Sequence, residues 1–233
     1  MAHKTYFSWS SGKDAALAFY HLSQDSQFRI DRLLTSVNDH HQRVSMHGLR
    51  IAMLEAQAQA LGLPLQLLRL PEQPTMAEYD TLMDSTLANL QQAGYTHAGF
   101  GDIFLEDLKT YRDQQLQAHQ IQGVYPLWKR NTTELVRELI DRGFKCVVIC
   151  LKSALLSEDF LGREIDESFL QDLPPTVDPC GENGEFHTFC YDGPIFQHPV
   201  SFQLGERVYR EYRNPDPDQE IGMGFWFCDV LPG

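Results

Sequence analysis

The chain has 233 residues, with 32 acidic and 19 basic side chains and a formal net charge of −13 at pH 7. This charge disfavours nucleic acid and anionic membrane as partners, because both repel an acidic protein at long range. No uninterrupted apolar stretch approaches the roughly 18 residues of a membrane span, and the polar N-terminus is atypical of a secretory signal, so we expect a cytoplasmic protein.

Short apolar runs alternate with helical patterns along the first half of the chain. Helices are predicted over 13–23 and 46–61, and from the capping box of Thr75 and Glu78 to Gly94. Strands are predicted over 5–9, 30–38, 64–70 and 96–103. The alternation predicts βαβ units, and the apolar runs predict a mostly parallel, doubly wound sheet covered on both faces.

The pattern changes near residues 123–131, where the alternation is interrupted. A helix capped by Asn131 and a buried strand over 144–151 are predicted next, and the chain then becomes rich in glycine, proline and aromatic residues. We therefore predict a doubly wound nucleotide-binding lobe over residues 1–124. A smaller α+β lobe is predicted over residues 125–233.

The five cysteines are an odd number without dense spacing, and no CxxC pair occurs. Neither a disulfide framework nor a zinc site is indicated by this pattern. Cys146 and Cys150 lie inside the apolar run FKCVVICL, where buried free thiols are the expected state.

The junction SSGKDA, residues 10–15, separates the first predicted strand from the first predicted helix. A sharp turn from strand to helix presents backbone N–H groups and the helix dipole to an anion. Gly12 permits close approach of the backbone, the two serines add hydroxyl donors, and Lys13 adds a mobile positive charge. The junction predicts a polyphosphate site, although a serine N-cap would also explain one of these residues. The Walker and GxGxxG patterns are both absent.

SSGKDA resembles the PP-loop, SGGKDS, of ATP pyrophosphatases in the adenine nucleotide α-hydrolase superfamily, with Ser11 and Ala15 as departures. Further segments occur in order: MHGLR (46–50), GFGDI (99–103), YPLWKRNTTELVRELIDRGFK (125–145) and DPCGENGEFHTFCYDGPIF (178–196). Together they are similar to the diphthine–ammonia ligase family, including its bacterial relatives described as related ATP pyrophosphatases. The last segment is the most diagnostic because of its length.

The resemblance implies a Rossmann-like (HUP, adenine nucleotide α-hydrolase-like) α/β fold with a smaller C-terminal α+β lobe. It also implies ATP and Mg²⁺ as cofactors, with the substrate site between the lobes. By this resemblance, the β and γ phosphates of ATP are held by Ser10, Ser11, Gly12 and Lys13. Asp14 either positions the lysine or reaches Mg²⁺.

Ligands of open α/β sheets lie beyond the carboxyl ends of the strands. Candidates for the rest of the nucleotide site are therefore Ser36, Val37, Asn38, His47, Arg50, Gly101 and Asp102. Asp102 is also a candidate ligand of Mg²⁺. Other interpretations stay open: Asn38 in a turn, His47 or Asp102 as a helix cap, and Arg50 paired with a carboxylate.

The segment CGENGEFHTF supplies candidate substrate-binding and catalytic residues. Glu182, Glu185 and His187 lie within six residues, and Glu185 and His187 would share a face of a strand. A carboxylate with an imidazole can bind a cationic substrate or take a proton from an amine, so Glu185 or His187 is the expected base and Lys13 the other catalytic residue. Arg112 is expected in the cleft between the lobes. The alternative is a turn with solvated glutamates.

The predicted function is an ATP-dependent amide-forming ligase that releases AMP and pyrophosphate. A carboxylate, either protein-borne diphthine or a small molecule, would be adenylated and passed to ammonia or another amine. Two alternatives stay open, a PP-loop tRNA-modifying enzyme and a non-catalytic adenine-nucleotide sensor. The sequence also leaves a homodimer open.

Overall fold

The computed structural model describes residues 1–45, 48–212 and 223–233. In its first half, strands alternate with helices and form a mostly parallel sheet. The strands of this sheet are β1 (His3–Ser8), β2 (Phe28–Asn38), β3 (Arg43–Val44), β4 (Leu65–Leu70), β5 (His97–Gly99) and β6 (Gln122–Val124). The helices between them are α1 (Lys13–Gln24), α2 (Ile51–Leu61), α3 (Met76–Gln92) and α4 (Glu106–Ala118). None of the described helices is both long and apolar enough to cross a bilayer.

The parallel strands lie in the order β4-β2-β1-β5-β6, and the short β3 pairs antiparallel with the end of β2. The chain winds outward from β1 to β4 and then returns to β5, so its direction reverses between β1 and β5. Such a reversal is the topological switch point at which open α/β sheets bind ligands. The arrangement confirms the predicted Rossmann-like, doubly wound fold.

A second, antiparallel sheet is formed by the rest of the chain. Its order is β8-β7-β10-β9, with β7 (Lys145–Lys152), β8 (Phe186–Asp192), β9 (Phe202–Tyr212) and β10 (Met223–Pro232). Two helices, α5 (Thr132–Asp141) and α6 (Glu167–Asp172), accompany it. One hydrophobic core runs through both sheets, because Phe7 and Trp9 of the first part and Val148 and Phe189 of the second belong to the same buried cluster. The domain boundary near residue 124 stays a prediction.

Local signals predicted the helix ends well where capping residues are present. Thr75 and Glu78 form the expected capping box, and the Asn131 side chain accepts a hydrogen bond from the amide of Glu134. The predicted start of α2 at residue 46 was wrong: the helix begins at Ile51, because Arg43 forms a strand pair and bridges to Arg50.

The sequence analysis missed two helices, α4 and the short α6. In α4 only Leu116 is buried, so its sequence carries too few apolar residues to show a helical period. This helix begins at Glu106 with Leu105 at its N-cap, which removes the interpretation of Asp102 as a helix cap.

Candidate active site

The SSGKDA junction lies at the switch point, between the end of β1 and the start of α1. The N-cap of α1 is Gly12, with no side-chain capping bond, so a serine cap does not explain the two serines. Ser11 is fully buried and has a backbone φ of 70°. A side chain at Gly12 would also be crowded, since a Cβ there would lie 3.2 Å from the carbonyl oxygen of Thr188.

The loop runs along the free edge of β8, in the second sheet. The amide of Cys190 donates to the carbonyl oxygen of Ser11 at 2.9 Å, and the amide of Lys13 donates to the Thr188 hydroxyl at 3.0 Å. The loop therefore covers the exposed edge of the second sheet. The segments 10–14 and 178–188, which the sequence analysis combined into one site, are in contact.

Gln57 of α2 joins the loop to β8 and was missed by the sequence analysis. Its buried amide nitrogen donates to the carbonyl oxygens of Ser11, at 3.0 Å, and Cys190, at 2.6 Å. Its oxygen accepts the indole N–H of Trp9 at 2.9 Å. The sequence did carry a signal for this residue. Gln57 lies beside Ala58 on the apolar face of a predicted helix, where a buried amide needs hydrogen-bond partners.

Lys13 is almost completely buried, with 3% of its surface exposed. Its ammonium group donates to the Asp14 carboxylate at 2.7 Å and to the carbonyl oxygen of Cys180. Burial alone would lower the pKa of Lys13, but the charge and hydrogen bond of Asp14, with smaller contributions from Cys180 and Glu182, together outweigh it and raise the pKa, so the lysine is cationic. The predicted phosphate-binding lysine thus contacts the predicted substrate-binding segment directly.

Gly101 and Asp102 follow β5 on the other side of the switch point. A Cβ at Gly101 would lie 2.9 Å from the backbone of Ala15, so only glycine lets this loop approach the first turn of α1 so closely. Asp102 is buried and accepts a hydrogen bond from the Arg112 guanidinium. Burial raises the pKa of Asp102, and Arg112 partly offsets this effect.

Glu182 connects the second segment to the same place. Its carboxylate accepts the amide of Ile103 at 3.0 Å. Burial, followed by the negative charge of Asp14, raises the pKa of Glu182 to about 7, and Asp102 acts in the same direction. A group with this pKa exchanges a proton near neutral pH. We refer to Lys13, Asp14, Asp102 and Glu182 as the Lys13 cluster.

Glu185 lies in the turn before β8, so strand alternation does not align it with His187. Its buried carboxylate accepts the amides of Asp178 and Asn183 and the Asn183 side chain. This side chain therefore holds the 178–185 turn together. His187 is half-buried, and alternation puts it on the face of β8 opposite Thr188, whose hydroxyl contacts the loop.

The other nucleotide-site candidates that the structure describes lie at the carboxyl end of β2 and at the start of α2. Val37 is buried and pairs with Val44, and the backbone carbonyl of Ser36 accepts the amide of Ser45. Asn38 forms a turn, since its side-chain oxygen accepts the amide of His41 and its nitrogen donates to the backbone carbonyls of 71 and 72. Arg50 pairs with Asp229 of β10. His47 lies outside the described residues.

A Mg²⁺ ion carried by a nucleotide fits the Lys13 cluster. In the described residues, no three His, Cys, Asp or Glu side chains gather as a metal site of their own. Nucleotide-bound Mg²⁺ usually needs only one or two carboxylates, because phosphate oxygens and water supply the other ligands. Asp14 and Asp102 offer such oxygens. The negative charges of Asp14, Asp102 and Glu182 repel one another, and a bound cation would reduce this repulsion.

Fold and loop define a Rossmann-like α/β protein whose strand-to-helix loop before α1 faces a second sheet. The profile of the diphthamide synthase N-terminal domain matches residues 3–118, and that of the diphthamide synthase C-terminal domain matches residues 131–214. The chain belongs to the diphthamide synthase family.

Curated relatives match a shorter part of the chain. The diphthine–ammonia ligases of Homo sapiens and Bos taurus are 33% and 32% identical over 93 residues, which is 38% of this chain and 35% of each relative. The diphthine–ammonia ligase of Danio rerio is 31% identical over 110 residues, 45% of this chain and 43% of the relative. The match thus spans less than half the length of these relatives.

Proposed function

We propose that the protein is an ATP-dependent ligase that adenylates a carboxylate, releases pyrophosphate and transfers the acyl group to ammonia or another amine. The observation that carries this proposal is the contact of the loop lysine, Lys13, with the turn that holds Glu182. Family membership and the names of the relatives support the same activity. Protein-borne diphthine and a small-molecule carboxylate are both compatible substrates.

In the first step, a carboxylate oxygen attacks the α phosphorus and the bond to the β-phosphate oxygen breaks. Negative charge then grows on the departing pyrophosphate. Lys13, the serines Ser10 and Ser11 and the Gly12 backbone are the groups that would stabilise this charge. Mg²⁺ held by Asp14 and Asp102 would supply further charge neutralisation on the phosphate oxygens.

In the second step, the amine nucleophile must lose a proton as it attacks the acyl carbon and AMP departs. Glu182 is the better base among the predicted residues, because its pKa is about 7 and it lies beside Lys13. Glu185 is occupied by three N–H donors of its own turn, which supports a positioning role. Arg112, bound to Asp102, is a positioning residue for that carboxylate.

The cysteines argue against a tRNA-modifying enzyme with a reactive thiol. All five are buried free thiols. Burial raises the pKa of the Cys150 thiol to about 12 and also raises that of Cys180, the cysteine nearest Lys13. Such thiols are neutral and poorly nucleophilic at neutral pH.

The test is a 31P NMR assay with ATP, Mg²⁺, ammonium and a panel of carboxylates. We expect AMP and pyrophosphate in equal amounts, only when a carboxylate is present. Lys13→Met should reduce the rate by about 100-fold or more, because it removes charge stabilisation from the leaving group. Lys145→Met, at the exposed start of β7, is the matched control. Tight ATP binding without turnover across the panel would contradict the ligase and favour a nucleotide sensor.

A further inference from the structure

A cavity of about 440 Å³ opens at the carboxyl end of β2, between the β2–β3 turn and the β9–β10 hairpin. Its walls include Arg43, Arg50, Val208, Arg210 and Asp229. No member of the Lys13 cluster lines it. The cavity is therefore a second concave site at the same edge of the parallel sheet.

Two arginines share one carboxylate in its wall. Arg43 donates to Asp229 at 2.8 Å and to the carbonyl oxygen of Gly48 at 2.7 Å. Arg50 binds Asp229 through two nitrogens, with distances of 2.6 to 3.1 Å. The Asp229 side chain is 17% exposed, whereas those of Arg43 and Arg50 are 32% and 42% exposed. Each guanidinium is held rigidly and still faces the cavity.

The charge of the cavity contrasts with that of the whole chain. Arg43, Arg50 and Arg210 contribute three positive charges, and Asp229 and Glu206 contribute two negative charges. The lining residues that the structure describes are thus net positive, in a protein with a net charge of −13. Burial alone would raise the pKa of Asp229, but hydrogen bonds from Arg50 and Arg43 lower it to about 2, so its charge persists at every physiological pH.

An apolar wall stands beside the guanidinium groups. Val44 and Phe227 line the cavity, together with Val208 and Tyr212 from one face of β9. A rigid pair of arginines suits the planar, bidentate geometry of a carboxylate, and the apolar wall suits a hydrocarbon or aromatic body attached to it. If Asp229 served only to join the two sheets, one arginine would be enough to pair with it.

We propose that this cavity binds a carboxylate group of the acyl substrate other than the one that is adenylated, with Arg43 and Arg50 as its recognition residues and Asp229 as the residue that positions both. The assignment rests on the proposed ligase function. It moves Arg50 from the nucleotide site to the acyl-substrate site. ATP would occupy the Lys13 cluster, and the organic acid would enter from the β9–β10 side.

The test uses 3-phenylpropionate as probe and its uncharged amide as control ligand, with binding followed by isothermal titration calorimetry. We expect saturable binding of the carboxylate and none of the amide. The double variant Arg43→Gln/Arg50→Gln should weaken probe binding at least tenfold and leave ATP binding unchanged. Arg163→Gln, which removes a surface ion pair with Asp172, is the matched control.

A second variant separates ligand binding from stability. Val208→Trp fills the cavity without touching a charge, and it should abolish probe binding while ATP still binds. Absence of saturable carboxylate binding, or binding unchanged in both variants, would overturn the proposal. Competition between ATP and the probe, with ATP binding lost in Val208→Trp, would overturn it in favour of a nucleotide pocket. Loss of AMP formation with probe binding intact would contradict only the ligase.

Discussion

The Lys13 cluster and the arginine cavity lie at the same edge of one parallel sheet, but they are built in opposite ways. Lys13 is one buried cation among three carboxylates, of which Asp102 also has a guanidinium partner. In the cavity, Arg43 and Arg50 share one carboxylate and remain open to solvent. The first site is closed and rich in negative charge, and the second is open and positively charged.

The difference suits two kinds of anion. Polyphosphate arrives with Mg²⁺, so a site for it can tolerate carboxylates that help to hold the metal. A lone organic carboxylate brings no cation and needs uncompensated positive charge in the protein. Helix α2 links the sites, because Arg50 is its N-cap and Gln57 holds the SSGKDA loop two turns later.

The largest stability effect is expected for Gln57→Leu, which would test whether the loop depends on α2. The variant leaves the indole N–H of Trp9 and the carbonyl oxygen of Cys190 without their buried partner. We expect a loss of about 3 kcal/mol in the free energy of unfolding, measured by urea denaturation. Gln59→Leu, on the exposed side of the same helix, should change it by no more than about 0.5 kcal/mol.

Gln57→Leu would also sharpen the comparison between the two sites. It should weaken ATP binding and leave binding of 3-phenylpropionate intact, since Gln57 contacts the loop and does not line the cavity. Equal loss of both ligands would mean that the two sites respond as one unit.

A pH effect of intermediate size is expected from Glu182. Its pKa of about 7 in the folded protein exceeds the ordinary 4.5, so between these values the folded state keeps a proton that the unfolded state has lost. Stability is therefore highest below pH 4.5 for this group and falls as pH rises to 7, by about 2 kcal/mol once the partial exposure of this carboxylate to solvent is discounted. Urea denaturation of wild type and Glu182→Gln at both pH values isolates this contribution.

The control for this experiment is Glu55→Gln, because Glu55 is exposed on α2. It should leave the pH slope of the wild type unchanged. If Glu182→Gln also kept the wild-type slope, Glu182 would be an ordinary solvated carboxylate, and the contrast between a closed acidic site and an open basic one would fail.

The smallest effect is expected for Ser11→Gly. Ser11 has a φ of 70°, a conformation that glycine adopts without steric cost. We expect the melting temperature to rise by a few degrees, equivalent to about 0.5–1 kcal/mol. Ser10→Gly, at a position without positive φ, should give no such gain. A fall in stability for Ser11→Gly would mean that its hydroxyl contributes more than the backbone strain costs.

Local signals in the sequence were enough to predict the α/β alternation, two helix caps and the strand-to-helix junction after β1. Each depends on residues a few positions apart, such as Thr75 with Glu78. The missed helix α4 has one buried residue, so no apolar period marked it. The partners of Glu185 were also missed. The sequence analysis placed this residue in a strand, but it lies in the turn before β8, and the local sequence does not show where the strand begins.

By itself, the sequence determined the kind of fold, the strand-to-helix junction and the family resemblance, since helical and strand periods and turn residues act over short distances. Only the tertiary structure decided which polar groups meet. Arg50 and Asp229 are 179 positions apart, and Gln57 and Cys190 are 133 apart. Such pairs depend on how two sheets pack, and burial then fixes the pKa of groups such as Glu182, because desolvation is a property of the folded surroundings.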